Sequence, residues 1–204
     1  MTFFTQSPRQ KRPLEGIHFQ PVEVCFGDAT QEFHIGLGAV AVPGNLAGVF
    51  HVQQQLGRLP LSVIAEPAIH FARQGIQLNW FQAYAFKLLE PILTASAAAR
   101  QIYAPQGKLL QQGQTLLMQD FADTLAYLAA EGLAVFYQGE IAHRLVQDCQ
   151  DQGGHLSLDD LRNYSVLERQ PLSLSYRNRT LLTNPPPSAR GAINYLCIEA
   201  PVHR

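Results

Sequence analysis

The stretch FYQGEIAHRLVQDCQDQGGHLSLDDLRNY, residues 136–164, constrains the fold more than any other part of the chain. It spells a helix, a glycine stop and a second helix start in one line. Ile141, Leu145 and Cys149 recur at four-residue spacing. That spacing predicts a helix beginning near Gly139, with this face inward and Glu140, Arg144 and Asp148 in water. Gly153 and Gly154 end it. Ser157 stands three residues before Asp160, the reciprocal pattern of a capping box, with Leu156 and Leu161 placed to staple the next helix. These residues shape a packed scaffold, and none of them is chemical on its own.

The rest of the chain supplies what that scaffold packs against. Residues up to about Pro13 read as a polar, poorly ordered lead-in, 1–13. Then PVEVCFGDATQEFHIGLG alternates Val22, Val24 and Phe26 against Glu23 and Cys25. It breaks at Gly27-Asp28 and resumes with Phe33 and Ile35, which predicts a β-hairpin over 19–37. Pro43 and Gly44 introduce a helix to about Leu56, with Gly57 as its left-handed stop. Pro60 and Ser62 open the next helix, where Ile64, Ala68, Ile69 and Ala72 form a stripe before Gly75. Pro67 inside it predicts a kink or a restart. Asn79 is placed to cap a third helix ending near Pro91, a fourth covers Ile92 to Ile102 and a fifth Asp120 to Ala130, so 43–164 reads as helical throughout. After Tyr164, LSLSYRNRTLLTNPPP predicts two short strands about an Arg177-Asn178 turn and then an extended proline run, together 170–190.

Several functions are excluded by what the chain contains. Fifteen basic residues against sixteen acidic ones, with no basic cluster beyond Arg9, Lys11 and Arg12, argue against a nucleic-acid face. Cys25, Cys149 and Cys197 are odd in number and share no CxxC spacing, so neither a disulfide framework nor a zinc site is indicated. The seven histidines, His18, His34, His51, His70, His143, His155 and His203, show no HxxxH or HExxH spacing, and no metal site is expected. His143 and Cys149 lie nearly two turns apart on one helix, too far for a thiolate–imidazole pair. Asp159 and Asp160 point about 100° apart and suit a helix N-terminus better than a shared catalytic site. Gly36, Gly38, Gly44 and Gly48 do not form a dinucleotide fingerprint. MTFFTQSPRQKRPLEG lacks the apolar run of a signal peptide, and no window reaches membrane-spanning length. Two readings follow from that: a cytoplasmic protein, or a chain that begins downstream of its natural start. With 47% hydrophobic and 15% charged residues, the chain buries a core and reads as one domain or a large part of one.

The wording carries more than the physics. FYQGEIAHRLV, GGHLSLDDLRNY, RQPLSLSYRN and NPPPS, preceded by AVAVPGNLAGVFHVQQQLGRLPLSVIAEPAIHFARQG, are similar to the large-subunit half of γ-glutamyltransferases. These are the glutathione hydrolases of the N-terminal-nucleophile hydrolase superfamily, and the likeness runs colinearly from about Gly38 to Ser188. The resemblance implies an α+β fold, part of a four-layer αββα hydrolase. Residues 14–204 would form a partial large-subunit domain, with a helical layer over Pro43–Tyr164 and edge strands from Gln170 to Asn184. It implies transfer of a γ-glutamyl group from glutathione-like donors to water or amino acids, without a cofactor, once a threonine-initiated small subunit completes the enzyme.

No catalytic, substrate-binding or metal residue carries over from the family. The family nucleophile is a freed N-terminal threonine whose own amine serves as base, with small-subunit amides cradling the oxyanion. The family arginine that grips the glutamyl α-carboxylate, in a motif like Arg-Glu-Thr-Ala-Pro upstream of the VPG turn, has no match, for no Lys or Arg lies between Arg12 and Arg58. PPPSARGAINYLCIEAPVHR departs from the family's wording at Ala189 and Arg190, before Gly191. The expected chain is therefore a large-subunit-like segment, inactive alone. Two other readings stand beside it: a non-catalytic helical interaction module or gene fragment derived from the family, and a self-contained enzyme in which loss of Met1 exposes Thr2 as nucleophile. An incomplete sheet also predicts apolar exposure along the hairpin and at Leu172, Leu174, Leu181 and Leu182.

Overall fold

A computed structural model describes residues 19–186 and 188. The lead-in over 1–13, Thr2, His18, Cys197, His203 and the departure at Ala189–Arg190 lie outside the described residues. The hairpin forms from β1 (Gln20–Cys25) and β2 (Thr30–Ile35), with Val22 opposite Phe33 and Cys25 opposite Thr30. Val22 and Val24 are buried as the alternation requires, while Phe26 turns out into solvent beside the Gly27-Asp28 break. A 3-10 turn, Leu37–Ala39, leads to α1 (Asn45–Leu56) and α2 (Leu61–Gln74).

One backbone expectation changes here and one narrows: Gly57 departs from its expected geometry, and of the kink or restart expected at Pro67 the restart does not occur. Gly57 ends α1 in extended rather than left-handed geometry (φ −73°, ψ 141°). Its hydrogen atoms matter all the same, because a Cβ there would collide with the Gln53 carbonyl. Pro67 neither ends nor restarts α2, which runs unbroken from Leu61 to Gln74. A proline removes one donor, and the packing of α2 along α6 (Gln119–Glu131) holds the helix in place around it.

After Gly75 the chain is not all helical. Ile76–Gln77 (β3) pairs antiparallel with Thr115–Leu116 (β4), so the region called helical throughout contains a third two-stranded ladder. Gly75 adopts φ +85°, and a side chain there would strike Thr115 and Leu117, so only glycine lets α2 end against β4. Asn79 caps α3 (Trp80–Leu88) in a full capping box with Gln82. The expected fourth helix divides into α4 (Glu90–Leu93) and α5 (Ala97–Tyr103), because Ser96 caps α5 and starts it afresh.

The last described helices are α7 (Ala134–Tyr137), α8 (Glu140–Asp151) and α9 (Leu158–Arg162). On α8 the buried stripe is Ala142, Val146 and Cys149, whereas Ile141 and Leu145 are only half-buried at its edge. The face is rotated from the one expected. Small Ala142 permits close approach to neighbouring elements, and the bulkier residues cover the seam. Glu140, Arg144 and Asp148 stay outside the buried stripe. Ser157 and Asp160 complete the second capping box, with the Ser157 amide donating to the Asp160 carboxylate at 3.0 Å and the Asp160 amide to the Ser157 hydroxyl at 3.2 Å. Leu156 and Leu161 flank that box, both buried in one cluster with Val42, Ala47, Tyr137, Ala142, Val146 and Cys149.

The last described elements are β5 (Leu172–Tyr176) and β6 (Arg179–Thr183), joined by Arg177 and Asn178 at φ 47° and 59°, the paired left-handed geometry of a tight hairpin turn. Of the four leucines expected to be exposed, Leu174 is buried and Leu172 half-buried; Leu181 and Leu182 are open to water. The described sheets are all two-stranded. Such pairs are marginal without further strands or packing.

Apolar exposure reaches well beyond the hairpins. Phe71, Trp80, Phe81, Leu117 and Phe121 are all exposed, Trp80 to 66%. The isolated chain is expected to bind an environment-sensitive apolar dye and to self-associate at micromolar concentration. Sizing that gives a non-associating monomer with no dye enhancement would refute an incomplete apolar surface.

Candidate functional site

The turn at Val42-Pro43-Gly44, where α1 begins, is held by a side chain from far along the sequence. The Tyr137 hydroxyl, reaching from the end of α7, donates to the Pro43 carbonyl at 2.6 Å and accepts from the Ala47 amide at 3.4 Å. It thereby satisfies one carbonyl in the turn and one of the free amides of the first helical turn. Its ring stacks on Tyr164, with centroids 5.7 Å apart and planes at 14°, and meets Phe136 edge-on. Burial pushes the Tyr137 phenol up to about 12; the Ala47 amide pulls against that rise and Tyr164 adds slightly to it. The Tyr164 phenol is raised as well, by burial.

Beside this turn lies an open cleft of about 770 Å³, walled by the Gly36–Leu37 turn, Pro43, α5 and the Leu145–Gln152 side of α8. Its lining is mainly apolar. Cys149 reaches it from a buried position, and its thiol donates to the Leu37 carbonyl at 3.7 Å. The backbone around that thiol is closely packed, since a Cβ on Gly154 would meet the Cys149 sulfur and stand 2.6 Å from the Leu37 oxygen. The thiol is thus engaged, and among the described residues no hydrogen bond joins it to a histidine or a carboxylate. His143, the one histidine on the same helix, is exposed.

The other described histidines are dispersed. His34 lies 3.3 Å from Glu32, His51 bonds Glu168 at 2.7 Å, and His70 packs edge-on against Phe71. No group of three His, Cys, Asp or Glu residues among the described residues could hold a metal. Asp160 spends its carboxylate on the Ser157 cap, apart from its neighbour Asp159. His155 is the exception in kind: both its ring nitrogens are buried with no hydrogen-bond partner among the described residues. An imidazole carries at least one N–H in either protonation state, so this arrangement costs stability. His155→Leu is expected to stabilise the chain by about 1–2 kcal/mol; a chemical denaturation midpoint that falls instead would show that the ring has a partner.

The described residues thus form a braced scaffold with clefts. Sequence reasoning assigned no site residue, and it also missed Tyr137. The signal available was a tyrosine directly after Phe136 in a stretch of family wording; the 94-residue separation between Tyr137 and Pro43 hid its purpose.

Comparison with known proteins decides the family. The model of the gamma-glutamyltranspeptidase family matches residues 22–198. The chain belongs to that family. The match begins before Gly38 and runs past Ser188, so it takes in the hairpin and most of the segment whose wording departs after the proline run. Glutathione hydrolase 2 of Arabidopsis thaliana is 32% identical over 191 residues, which is 94% of this chain and 32% of that protein. The glutathione hydrolase proenzyme of Escherichia coli K12 is 32% identical over 154 residues, 75% of this chain and 27% of the proenzyme. Among solved structures, the Helicobacter pylori gamma-glutamyltranspeptidase superposes with a TM-score of 0.77 at 26% identity, covering 93% of this chain and 53% of that one. This γ-glutamyltranspeptidase-family chain spans between about a quarter and a third of the length of the curated relatives it matches, 32% and 27% of these two. Its observed architecture is α+β, with a helical middle and small antiparallel sheets. No described helix is long and apolar enough to cross a membrane.

Proposed function

We propose that this chain is a large-subunit-like segment of a γ-glutamyltransferase or glutathione hydrolase. The complete enzyme moves a γ-glutamyl group from a glutathione-like donor to water or an amino acid. The nucleophile is a threonine at the start of a separate small subunit, and that subunit continues the sheets of an αββα N-terminal-nucleophile fold. In this reading the helices over 43–164 are an outer layer, and the strands of 170–190 lie at the edge of the shared sheet.

One observation carries the reading. The family match covers nearly the whole of this chain, and the chain covers only about a quarter to a third of the relatives' length. Acyl transfer needs a nucleophile together with preorganised oxyanion donors. The open edges and exposed leucines of β5 and β6 suit a chain that receives further strands.

The test is reconstitution. The chain and a separately prepared threonine-initiated small subunit are mixed and assayed with a chromogenic γ-glutamyl anilide. Turnover is expected from the mixture and from neither part. Equal turnover by the small subunit with and without this chain would refute the role.

A further inference from the structure

Helix α2 is largely apolar, yet the one residue it fully buries is Ala72. At about 100° per residue, Leu61, Ala65, Ile69 and Ala72 share one side, and these buried and half-buried positions pack on α6. Ile64, Pro67, Ala68 and Phe71 share another side, continued by Pro60 just before the helix, and all five are exposed. The charged and titratable residues of α2 are Glu66, His70 and Arg73, and they stand on the remaining arc. Arg73 is paired with Asp123 of α6 at 2.6 Å. His70 comes nearest to the exposed stripe, with its ring against the edge of Phe71. No charge lies within the stripe itself.

Apolar residues at i, i+3, i+4 and i+7 are the pattern by which a helix packs on a neighbour. No described element covers this one: Ile64 is 46% exposed and Phe71 58%. Along the stripe the side chains run large, compact, compact, large. Turned about a two-fold axis between Pro67 and Ala68, the stripe meets its own reverse. Ile64 of each copy then falls opposite Phe71 of the other, and the compact residues meet at the crossing, where two helices approach most closely. The ends match as well. Leu59 is exposed just before α2, and exposed Leu117 stands beside the place where a Cβ on Gly75 would lie, at the far end. The same rotation sets Leu59 of one copy toward Leu117 of the other. Because the stripe is free of charge, this contact buries no ion and leaves Glu66 and Arg73 in water at the rim.

We infer that the exposed stripe of α2 is a dimer surface whose occupant is a second copy of this chain, the two helices lying antiparallel about an axis at Pro67-Ala68. A helix of 14 residues is about 21 Å long. With Leu59 and Leu117 at its ends each copy covers roughly 600–800 Å², the low end for a specific interface. The dimer is accordingly weak, with a Kd on the order of 10 μM. No ion pair crosses the contact, so salt does not loosen it. The inference is independent of the γ-glutamyl reading, since it needs neither a substrate nor a small subunit, and the β5–β6 hairpin takes no part in it.

The test is sedimentation equilibrium of the 204-residue chain from about 1 to 200 μM, at about 0.05 and 0.5 M salt. A monomer–dimer equilibrium is expected, equally tight at both salt concentrations. Ile64→Lys and Phe71→Glu should each weaken it about thirtyfold or more, because a charge is pressed into an apolar contact. Both positions are exposed, and circular dichroism confirms the fold of each variant. Mixing the two variants should restore dimerisation to within about tenfold of the wild type. In the mixed dimer the new ammonium at position 64 faces the new carboxylate at position 71, and the other half of the contact is native. Leu182→Glu alters an equally open leucine of the β5–β6 hairpin and should leave the dimer unchanged. A wild-type chain that stays monomeric would overturn the inference; if that monomer binds the small subunit and the Phe71→Glu chain does not, the stripe belongs to the small subunit. Aggregates of no fixed size, loss of the dimer in Leu182→Glu, or a mixture as dissociated as its two components would overturn it too.

Discussion

The purified 204-residue chain is expected to release no anilide from a chromogenic γ-glutamyl substrate above the uncatalysed rate. Enzymes of acyl transfer owe their acceleration, commonly about 10⁶-fold or more, to a nucleophile, its base and oxyanion donors acting as one unit. Among the described residues the buried thiol is engaged with the Leu37 carbonyl, and the histidines face other partners or none. On the proposed reading, the lack of any Lys or Arg between Arg12 and Arg58 would add a separate loss, since an unheld donor forfeits the advantage of a bound near-attack geometry. Turnover by this chain alone that survives repurification and disappears in Thr2→Ala would reverse the reading and make the chain a self-contained enzyme. Loss of that turnover to a threonine-directed reagent would have the same meaning.

Tyr137 is expected to be the most costly single side chain to remove. Tyr137→Ala deletes an aromatic ring from the main core and strands the Pro43 carbonyl, at a cost of about 3–5 kcal/mol. Tyr137→Phe keeps the ring and its stack on Tyr164, and loses only the hydroxyl's bonds to Pro43 and Ala47, at about 1–2 kcal/mol. Denaturant midpoints of the two variants separate ring from hydroxyl, and equal midpoints would show that the bridge to the turn contributes nothing.

The same hydroxyl predicts a pH dependence. Its pKa in the folded chain is about 12, above the ordinary 10.0. Folding therefore favours the protonated phenol. The contribution is fully present below pH 10 and is lost as pH rises toward 12, because the unfolded chain ionises first. Tyr164, raised by burial, acts in the same direction. Wild-type stability should fall over that window and Tyr137→Phe should fall less steeply; identical alkaline profiles would refute the assignment.

What could be read directly from residues was local. The Asn79 cap and the Ser157–Asp160 box each close within four residues, and the Arg177-Asn178 turn closes within a hairpin, so short-range chemistry specified them without help. The family wording, spread over much of the chain, was likewise legible because it is sequence. The tertiary structure decided the rest. Which stripe of α8 is buried depends on the elements packed against it, so Ala142 and Val146 displaced Ile141 and Leu145. β3 and β4 are two residues each, too short for any period, and exist only because α2 ends against residue 115. Tyr137 acquired its partner across 94 residues. Contacts of that kind leave no mark on either neighbourhood of the chain, since each side chain is ordinary until the fold brings the other to it.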